Sequence, residues 1–174
     1  VRGERLDGRD LIDTWLENKN SPKAHFIHDR KGLLSLNHSN IDHVLGLFAG
    51  SHLDYHLQAN KNQPTLQEMT ISAIEVMKKN KNGFVLFVEG GRIDHAHHAN
   101  KAYLALDETV EFSKAIQSAI DLTDEKDTLI VVTADHSHTM SISGYSRRGT
   151  NVLGLNSEVS DMDKMPYATL SYAN

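Results

Sequence analysis

Hydrophobic residues recur at two different spacings along this chain, and each spacing predicts a different kind of element. Helical spacing appears over residues 11–16 and again from Pro64 to residue 79. Pro64 fits the first turn of a helix, because that turn leaves its backbone N–H groups unpaired in any case. The two apolar faces comprise Leu11, Ile12, Trp15 and Leu16, and then Leu66, Met69, Ile71, Ile74 and Met77.

Continuous apolar runs of strand length predict the β-strands. Residues 44–48 (VLGLF) are a short run of this kind, and residues 24–28 (AHFIH) are a plausible short strand. Residues 167–172 (YATLSY) alternate between apolar and polar side chains. Residues 84–88 (FVLFV) and 128–134 (TLIVVTA) are longer and almost wholly apolar. Such runs are typical of strands that are buried on both faces of a parallel sheet.

A long helix is predicted between the last two runs, from about residue 97 to residue 122. Its expected core positions are Leu104, Val110, Ile116 and Ile120. A strand, a long helix and a second strand form the βαβ pattern. With loops predicted at residues 50–63 and 144–154, the chain is expected to be an α/β protein with a mainly parallel sheet.

Length, charge and composition exclude several classes of protein. The length of 174 residues suits one ordinary domain, and the net charge of -5 argues against a nucleic-acid partner. No apolar run approaches the roughly 20 residues of a membrane-spanning helix. The absence of cysteine excludes a thiolate nucleophile and a disulfide. A start at Val1 and a strand-like end lead us to expect an excerpt from a longer protein.

Acidic and imidazole groups follow the two long apolar runs directly. Glu89 comes after the first run, and Asp94 and His98 follow two glycines at a spacing of four, which is one face of a helix. Asp135 and His136 come directly after the second run. Ligands gather at the carboxyl ends of strands in open α/β sheets. Because Asp and His suit zinc and a lone carboxylate suits magnesium, the two motifs predict one metal centre.

Other polar residues have plainer interpretations. A single Asp–His pair is usually a surface feature, and only the placement of two clusters after two buried-strand patterns favours a metal site. His95 and His97 are either supporting groups or solvated. Ser137 has no surroundings typical of an activated serine. The tripeptide Asn37-His38-Ser39 is a glycosylation sequon, which matters only in a secreted protein.

The segments VEGGRIDHAHH (residues 88–98) and VTADHSH (residues 132–138) resemble the alkaline phosphatase family in its animal-type form. The resemblance extends to LDGRDLIDTWL, LGLF, LQEMTISAIEVM and ISGYSRRG, and so covers nearly the whole chain. It implies a three-layer sandwich around a mainly parallel sheet. Residues 1–174 then form the central part of a single catalytic domain, which is incomplete in this segment.

The resemblance also implies an activity and a set of metals. Members are phosphoric monoester hydrolases that use two zinc ions and one magnesium ion and pass through a phosphoserine intermediate. Carried over to this sequence, Glu89 binds magnesium, Asp94 and His98 bind the first zinc, and Asp135 and His136 bind the second. His95 resembles a position near the phosphate and is given a supporting role.

The sequence departs from the family pattern in two ways. No residue matches the nucleophilic Ser, the bridging Asp, the phosphate-binding Arg or the third His on the first zinc. We therefore expect the Ser, Asp and Arg upstream of this segment and the His downstream, and we expect the isolated 174 residues to be inactive. Ala49 and Gln63 stand where animal-type members carry calcium-binding acids, so a calcium site is not expected.

Further properties follow from the resemblance alone. The expected substrates are small phosphate monoesters, and the full-length protein is expected to be a homodimeric glycoprotein. It is expected on the extracellular face of the plasma membrane, held by a GPI-type lipid anchor. Two alternatives stay open: a non-catalytic surface protein that retains the fold, and a related sulfatase or phosphodiesterase.

Overall fold

The computed structural model describes residues 5–173 and divides them into two compact units. Unit 1 contains residues 5–89 and 111–130, and unit 2 contains residues 90–110 and 131–173. Five α-helices occur in the described part of the chain: α1 (Leu11–Lys19), α2 (Arg30–Leu34), α3 (Leu66–Met77), α4 (Arg92–His98) and α5 (Ala102–Leu122). The strands are β1 (Ala24–Ile27), β2 (His43–Gly46), β3 (Met140–Ile142), β4 (Leu155–Val159), β5 (Pro166–Ala168) and β6 (Leu170–Tyr172).

Unit 1 is built on a parallel pair of strands, β1 and β2, aligned so that Ala24 lies opposite His43 and Ile27 opposite Gly46. Parallel strands need a crossover connection, and here it carries the short helix α2. The buried apolar side chains of this unit are Ile27, Leu33, Ile41, Tyr55, Ile74 and Ala115. These elements confirm the two strands predicted near residues 24–28 and 44–48 and an α/β architecture with a small parallel sheet.

Helices α1 and α3 confirm the helical spacing of the first half of the chain. Helix α1 begins after Asp10, whose carboxylate accepts hydrogen bonds from the backbone N–H groups of Ile12 and Asp13. Helix α3 begins after Thr65 with a complete capping box, in which Thr65 and Glu68 each accept from the other's backbone N–H. Pro64 therefore lies just before the cap instead of inside the first turn.

Glu68 also joins α3 to α2. The guanidinium of Arg30 donates to both carboxylate oxygens of Glu68, at 2.6–3.0 Å, and the side chain of Glu68 is only 17% exposed. The hydrogen bonds from Arg30, more than the opposing burial, hold the pKa of Glu68 below its ordinary value. The ionised carboxylate therefore stabilises the folded state.

This interaction predicts a pH-dependent loss of stability. A carboxyl group with a depressed folded-state pKa stabilises fully above its unfolded pKa, about 4.3, and that stabilisation is lost as the pH falls through the lower folded pKa. We expect Glu68→Gln to lower the melting temperature at neutral pH, and the difference from wild type to shrink as the pH falls below about 4. Exposed Glu125→Gln is the matched control; an equal deficit at all pH values would contradict the prediction.

The two long apolar runs, residues 84–88 and 128–134, do not form the buried strands that were predicted. Both runs form neither helix nor strand, and no strand within residues 5–173 is hydrogen-bonded to either run. Val85 and Phe87 are 85% and 97% exposed, and Leu129 and Val131 are 86% and 74% exposed. The prediction of two buried strands is therefore wrong for the described residues, because a strand exists only where a neighbour pairs with its backbone.

The predicted helix from residue 97 to residue 122 is two helices. Asn100 adopts a left-handed conformation (φ 54°) between α4 and α5, which ends the first helix. Leu104 is fully buried as predicted, whereas Val110 and Ile120 are 52% and 51% exposed. The buried face of α5 instead includes Glu111 and Ser118.

Unit 2 contains α4, the start of α5 and two antiparallel strand pairs, β3 with β6 and β4 with β5. The predicted strand over residues 167–172 is present as β5 and β6, which are separated by the buried Thr169. Residues 144–154 form a loop, as predicted. Strands β3 and β4 and helix α2 are further elements that the apolar pattern did not reveal.

Candidate metal centre

Helix α4 places three polar side chains on one face. Asp94, His97 and His98 are separated by three and four positions, so their side chains project from the same side of the helix. The Nε2 atom of His98 lies 3.4 Å from Oδ1 of Asp94. The predicted pairing of Asp94 with His98 therefore corresponds to a short distance in the structure.

A second segment of unit 2 brings two more imidazoles to the same carboxylate. His136 and His138 lie two positions apart in a segment that belongs to neither a helix nor a strand. Their Nε2 atoms lie 3.5 Å and 2.9 Å from Oδ1 of Asp94. Nε2 of His138 donates a hydrogen bond to that oxygen, since a carboxylate only accepts.

Three imidazole nitrogens thus converge on one carboxylate oxygen. One ligand atom from each of Asp94, His136 and His138 lies within 4.8 Å of the other two, a spacing that one metal ion can span. Nitrogen and carboxylate donors are the set that zinc prefers in proteins. The residues present therefore fit a zinc ion, and His98 lies outside this group of three, although its Nε2 is 3.4 Å from Oδ1 of Asp94.

The charges of the centre favour an ionised carboxylate. Burial, the largest single influence, raises the pKa of Asp94, but the charge of His98 and the hydrogen bond from His138 outweigh it and hold that pKa below its ordinary value. The pKa of His136 is raised, first by its hydrogen bond to the carbonyl of Ser137 and then by the charge of Asp135. A metal ion would have to displace the proton that this raised pKa favours.

Two further ring side chains lie beside the cluster, with His97 next to His138 and Tyr172 next to His97. The ring of His97 stacks on that of His138, with centroids 4.7 Å apart, and its Nδ1 is hydrogen-bonded to the hydroxyl of Tyr172 at 2.9 Å. Burial, followed by the nearby charge of His138, lowers the pKa of His97. His97 is therefore favoured as a neutral imidazole at the back of the centre.

The other predicted site residues lie as follows. Asp135 is 89% exposed and lies 3.5 Å from His136, and Glu89 is an exposed residue that ends the first apolar run. Nη1 of Arg92 donates to Nδ1 of His95 at 2.8 Å, which joins the supporting residue to the start of α4. Asn37 is exposed, as a glycosylation acceptor must be.

The loop over residues 50–63 contains Gln63, one of the two residues that replace calcium-binding acids, and Gln63 is hydrogen-bonded within that loop. The side-chain oxygen of Gln63 accepts a hydrogen bond from the backbone N–H of Asp54 at 2.9 Å. That oxygen is thus engaged within the loop, while Ala49 offers no ligand atom on its side chain.

His138 has no predicted role, although the structure places it closer to Asp94 than either His98 or His136. The available signal was the spacing of two in DHSH, which would put both histidines on one side of a strand. No feature of the sequence indicates the role of Tyr172, because its hydrogen bond to His97 joins positions 75 residues apart.

Among the residues that the structure describes, no helix has both the length and the apolar character needed to cross a bilayer.

The chain has relatives among known protein families and proteins. It matches the alkaline phosphatase family over residues 1–174. It is 52% identical to the membrane-bound alkaline phosphatase of Bombyx mori and 49% identical to the human tissue-nonspecific isozyme. Both alignments cover the whole chain but only 32% and 34% of those proteins, so the chain spans about a third of their length.

Solved structures give the same result for the fold. The alkaline phosphatase of Thermus thermophilus superposes with a TM-score of 0.71 at 30% identity, over 82% of this chain and 30% of that one. The cold-active enzyme of a Shewanella species superposes with a TM-score of 0.66 at 30% identity, over 85% and 36%. The family match, the two relatives and the two solved structures agree: the chain belongs to the alkaline phosphatase family.

Proposed function

We propose that the full-length protein hydrolyses phosphate monoesters through a phosphoserine intermediate at a two-zinc, one-magnesium site. One observation carries the proposal: in a member of this family, the Nε2 atoms of three histidines converge on Oδ1 of Asp94 at 2.9–3.5 Å. Such a donor set has no evident purpose in a protein that has lost its metal chemistry.

The proposed ligands follow the sequence motifs. Asp94 and His98 hold the first zinc, Asp135 and His136 hold the second, and Glu89 binds magnesium. Bound zinc supplies Lewis acidity, which lowers the pKa of the nucleophile and stabilises charge on the phosphoryl oxygens. In this division of the donors between two ions, His138 is not a ligand. It orients the carboxylate of Asp94 through its hydrogen bond, a type of support that metal ligands commonly receive.

The remaining parts of the machinery are proposed to come from elsewhere in the protein. These are the nucleophilic Ser, a bridging Asp, a phosphate-binding Arg and a third His for the first zinc. Residues 1–174 are proposed to be the central part of one catalytic domain. The exposure of Phe87 and Leu129 supports this, because such large apolar side chains suit a surface that the rest of a domain would cover.

The cellular setting is proposed from the relatives. The name of the Bombyx mori relative describes it as membrane-bound. We propose the same association here through a GPI-type lipid anchor on the outer face of the membrane, with a homodimeric assembly. Asn37 is the proposed glycosylation site because it lies in a sequon and is exposed.

Parallel assays on the zinc-loaded full-length protein test the reaction class. We expect hydrolysis of p-nitrophenyl phosphate to exceed that of bis(p-nitrophenyl) phosphate and p-nitrophenyl sulfate, and to disappear after chelation and return with zinc. A preference for the diester or the sulfate would identify a related phosphodiesterase or sulfatase instead. Zinc-independent turnover, or no turnover of any ester, would reject the proposed function.

A further inference from the structure

The stacked pair of His97 and His138 has a third member that lies far away in the sequence. His138 is only 17% exposed, and its ring is packed between Asp94, which it contacts through Nε2, and the face of His97. His97 in turn is hydrogen-bonded to the hydroxyl of Tyr172. A continuous series of contacts therefore leads from Tyr172 to the carboxylate of the metal centre.

Strand pairing fixes where Tyr172 lies relative to His138. Strand β6 pairs antiparallel with β3, with Tyr172 directly opposite Met140, and Met140 follows His138 by two positions. One residue beyond the pair, the N–H of Ala173 donates to the carbonyl of Thr139 at 3.2 Å. Backbone hydrogen bonds thus extend to the residue next to His138, and they hold the phenol of Tyr172 against α4.

We propose that Tyr172 is a positioning residue of the metal centre, which fixes the ring of His97 so that His97 holds His138 against Asp94. The inference rests on the proposed function in that it takes Asp94 as a zinc ligand. The hydroxyl of Tyr172 is hydrogen-bonded to His97, not to Asp94. It acts through two intervening imidazoles, and nothing in its role requires contact with substrate.

The hydroxyl of Tyr172 is the group that fixes the ring of His97. A stacked imidazole can rotate about its last side-chain bond, and a single hydrogen bond to Nδ1 removes that freedom. The phenol ring packs separately against His97, with centroids 5.9 Å apart. Tyr172→Phe therefore removes the orienting hydrogen bond while it keeps the ring, its volume and the strand pairing.

Zinc affinity in the full-length protein provides the first test. Loss of groups that orient metal ligands costs about 10- to 100-fold in affinity, and we expect about 10-fold for Tyr172→Phe, measured by competition with a chromogenic chelator. Activity should fall at limiting zinc and recover when zinc is saturating. Tyr145→Phe is the matched control in the same unit, since Tyr145 is 97% exposed, and its zinc affinity should equal that of wild type.

A double-mutant cycle tests the route through His97. If Tyr172 acts through that ring, Tyr172→Phe should cause no further loss of zinc affinity in a His97→Ala background. Fully additive losses would show that Tyr172 acts by another route and would reject the inference. Unchanged zinc affinity in Tyr172→Phe would reject it as well.

A readout without metal separates this inference from the proposed function. In the zinc-free protein with ¹⁵N-labelled histidine, Tyr172→Phe should shift the ring-nitrogen resonances of His97 and His138, and Tyr145→Phe should shift neither. A protein that shows these shifts but hydrolyses no phosphate ester would leave the positioning role in place and remove the function. A protein that hydrolyses phosphate esters but shows no shift at His138 would do the opposite.

Discussion

Asp94→Asn is expected to lower the zinc affinity of the full-length protein by at least about 100-fold, with a comparable loss of kcat/KM. Asparagine preserves the shape of the side chain but removes the negative charge that faces His98, His136 and His138. The amide keeps one oxygen that can accept from His138, but its NH₂ group is a donor only and cannot bind a metal ion. The measurement is bound zinc per chain after dialysis, together with the rate of p-nitrophenyl phosphate hydrolysis.

Asp161→Asn is the matched control for that variant. Asp161 lies in the same unit, its side chain is fully exposed, and its nearest cation is Lys164 at 3.7 Å. The same chemical change there removes one negative charge from the surface and should leave zinc content and activity as in wild type. Full zinc content in Asp94→Asn would exclude Asp94 from the ligands.

Leu104→Ala is expected to have the largest effect on stability, a loss of about 2–5 kcal/mol in the free energy of unfolding. Leu104 has no exposed surface, and its side chain is among the largest that are fully buried in the described residues. Truncation removes its buried methyl groups and leaves a cavity that the helix cannot fill. The measurement is the midpoint of urea-induced unfolding, with the slope of the transition compared between variants.

Leu153→Ala is the corresponding control because Leu153 is 52% exposed and lies in a loop of the same unit. The same loss of atoms at this exposed position should change the free energy of unfolding by less than about 0.5 kcal/mol. Equal effects of the two variants would show that the burial of Leu104 does not contribute to stability.

The helices near the start of the chain were predictable because their causes are local. Helix α3 has an apolar face and a capping box, and both depend on residues within four positions of each other. Helix α5 was harder to interpret. Its buried face contains Glu111 and Ser118, which are accommodated because distant residues pair with them: His56 lies 3.6 Å from Glu111, and Gln67 donates to Ser118 at 2.9 Å.

The candidate metal centre was partly predictable because its residue types stand out in the sequence. Asp94, His98 and His136 stand out as metal-binding residue types beside strand-like runs, and the structure brings these three together. His138 and Tyr172 were missed because their roles arise from stacking and from strand register. Neither ring stacking nor strand register can be read from a sequence pattern.

The amino-acid sequence by itself determined the helical segments of the first half, the α/β class and the residues able to bind a metal, since periodicity, capping and donor chemistry belong to short stretches of chain. Only the tertiary structure decided which apolar runs pair as strands, which face of α5 is buried and which imidazole lies closest to Asp94. Backbone pairing and side-chain burial both require a partner from a distant part of the chain, and the position of that partner is fixed only when the chain folds.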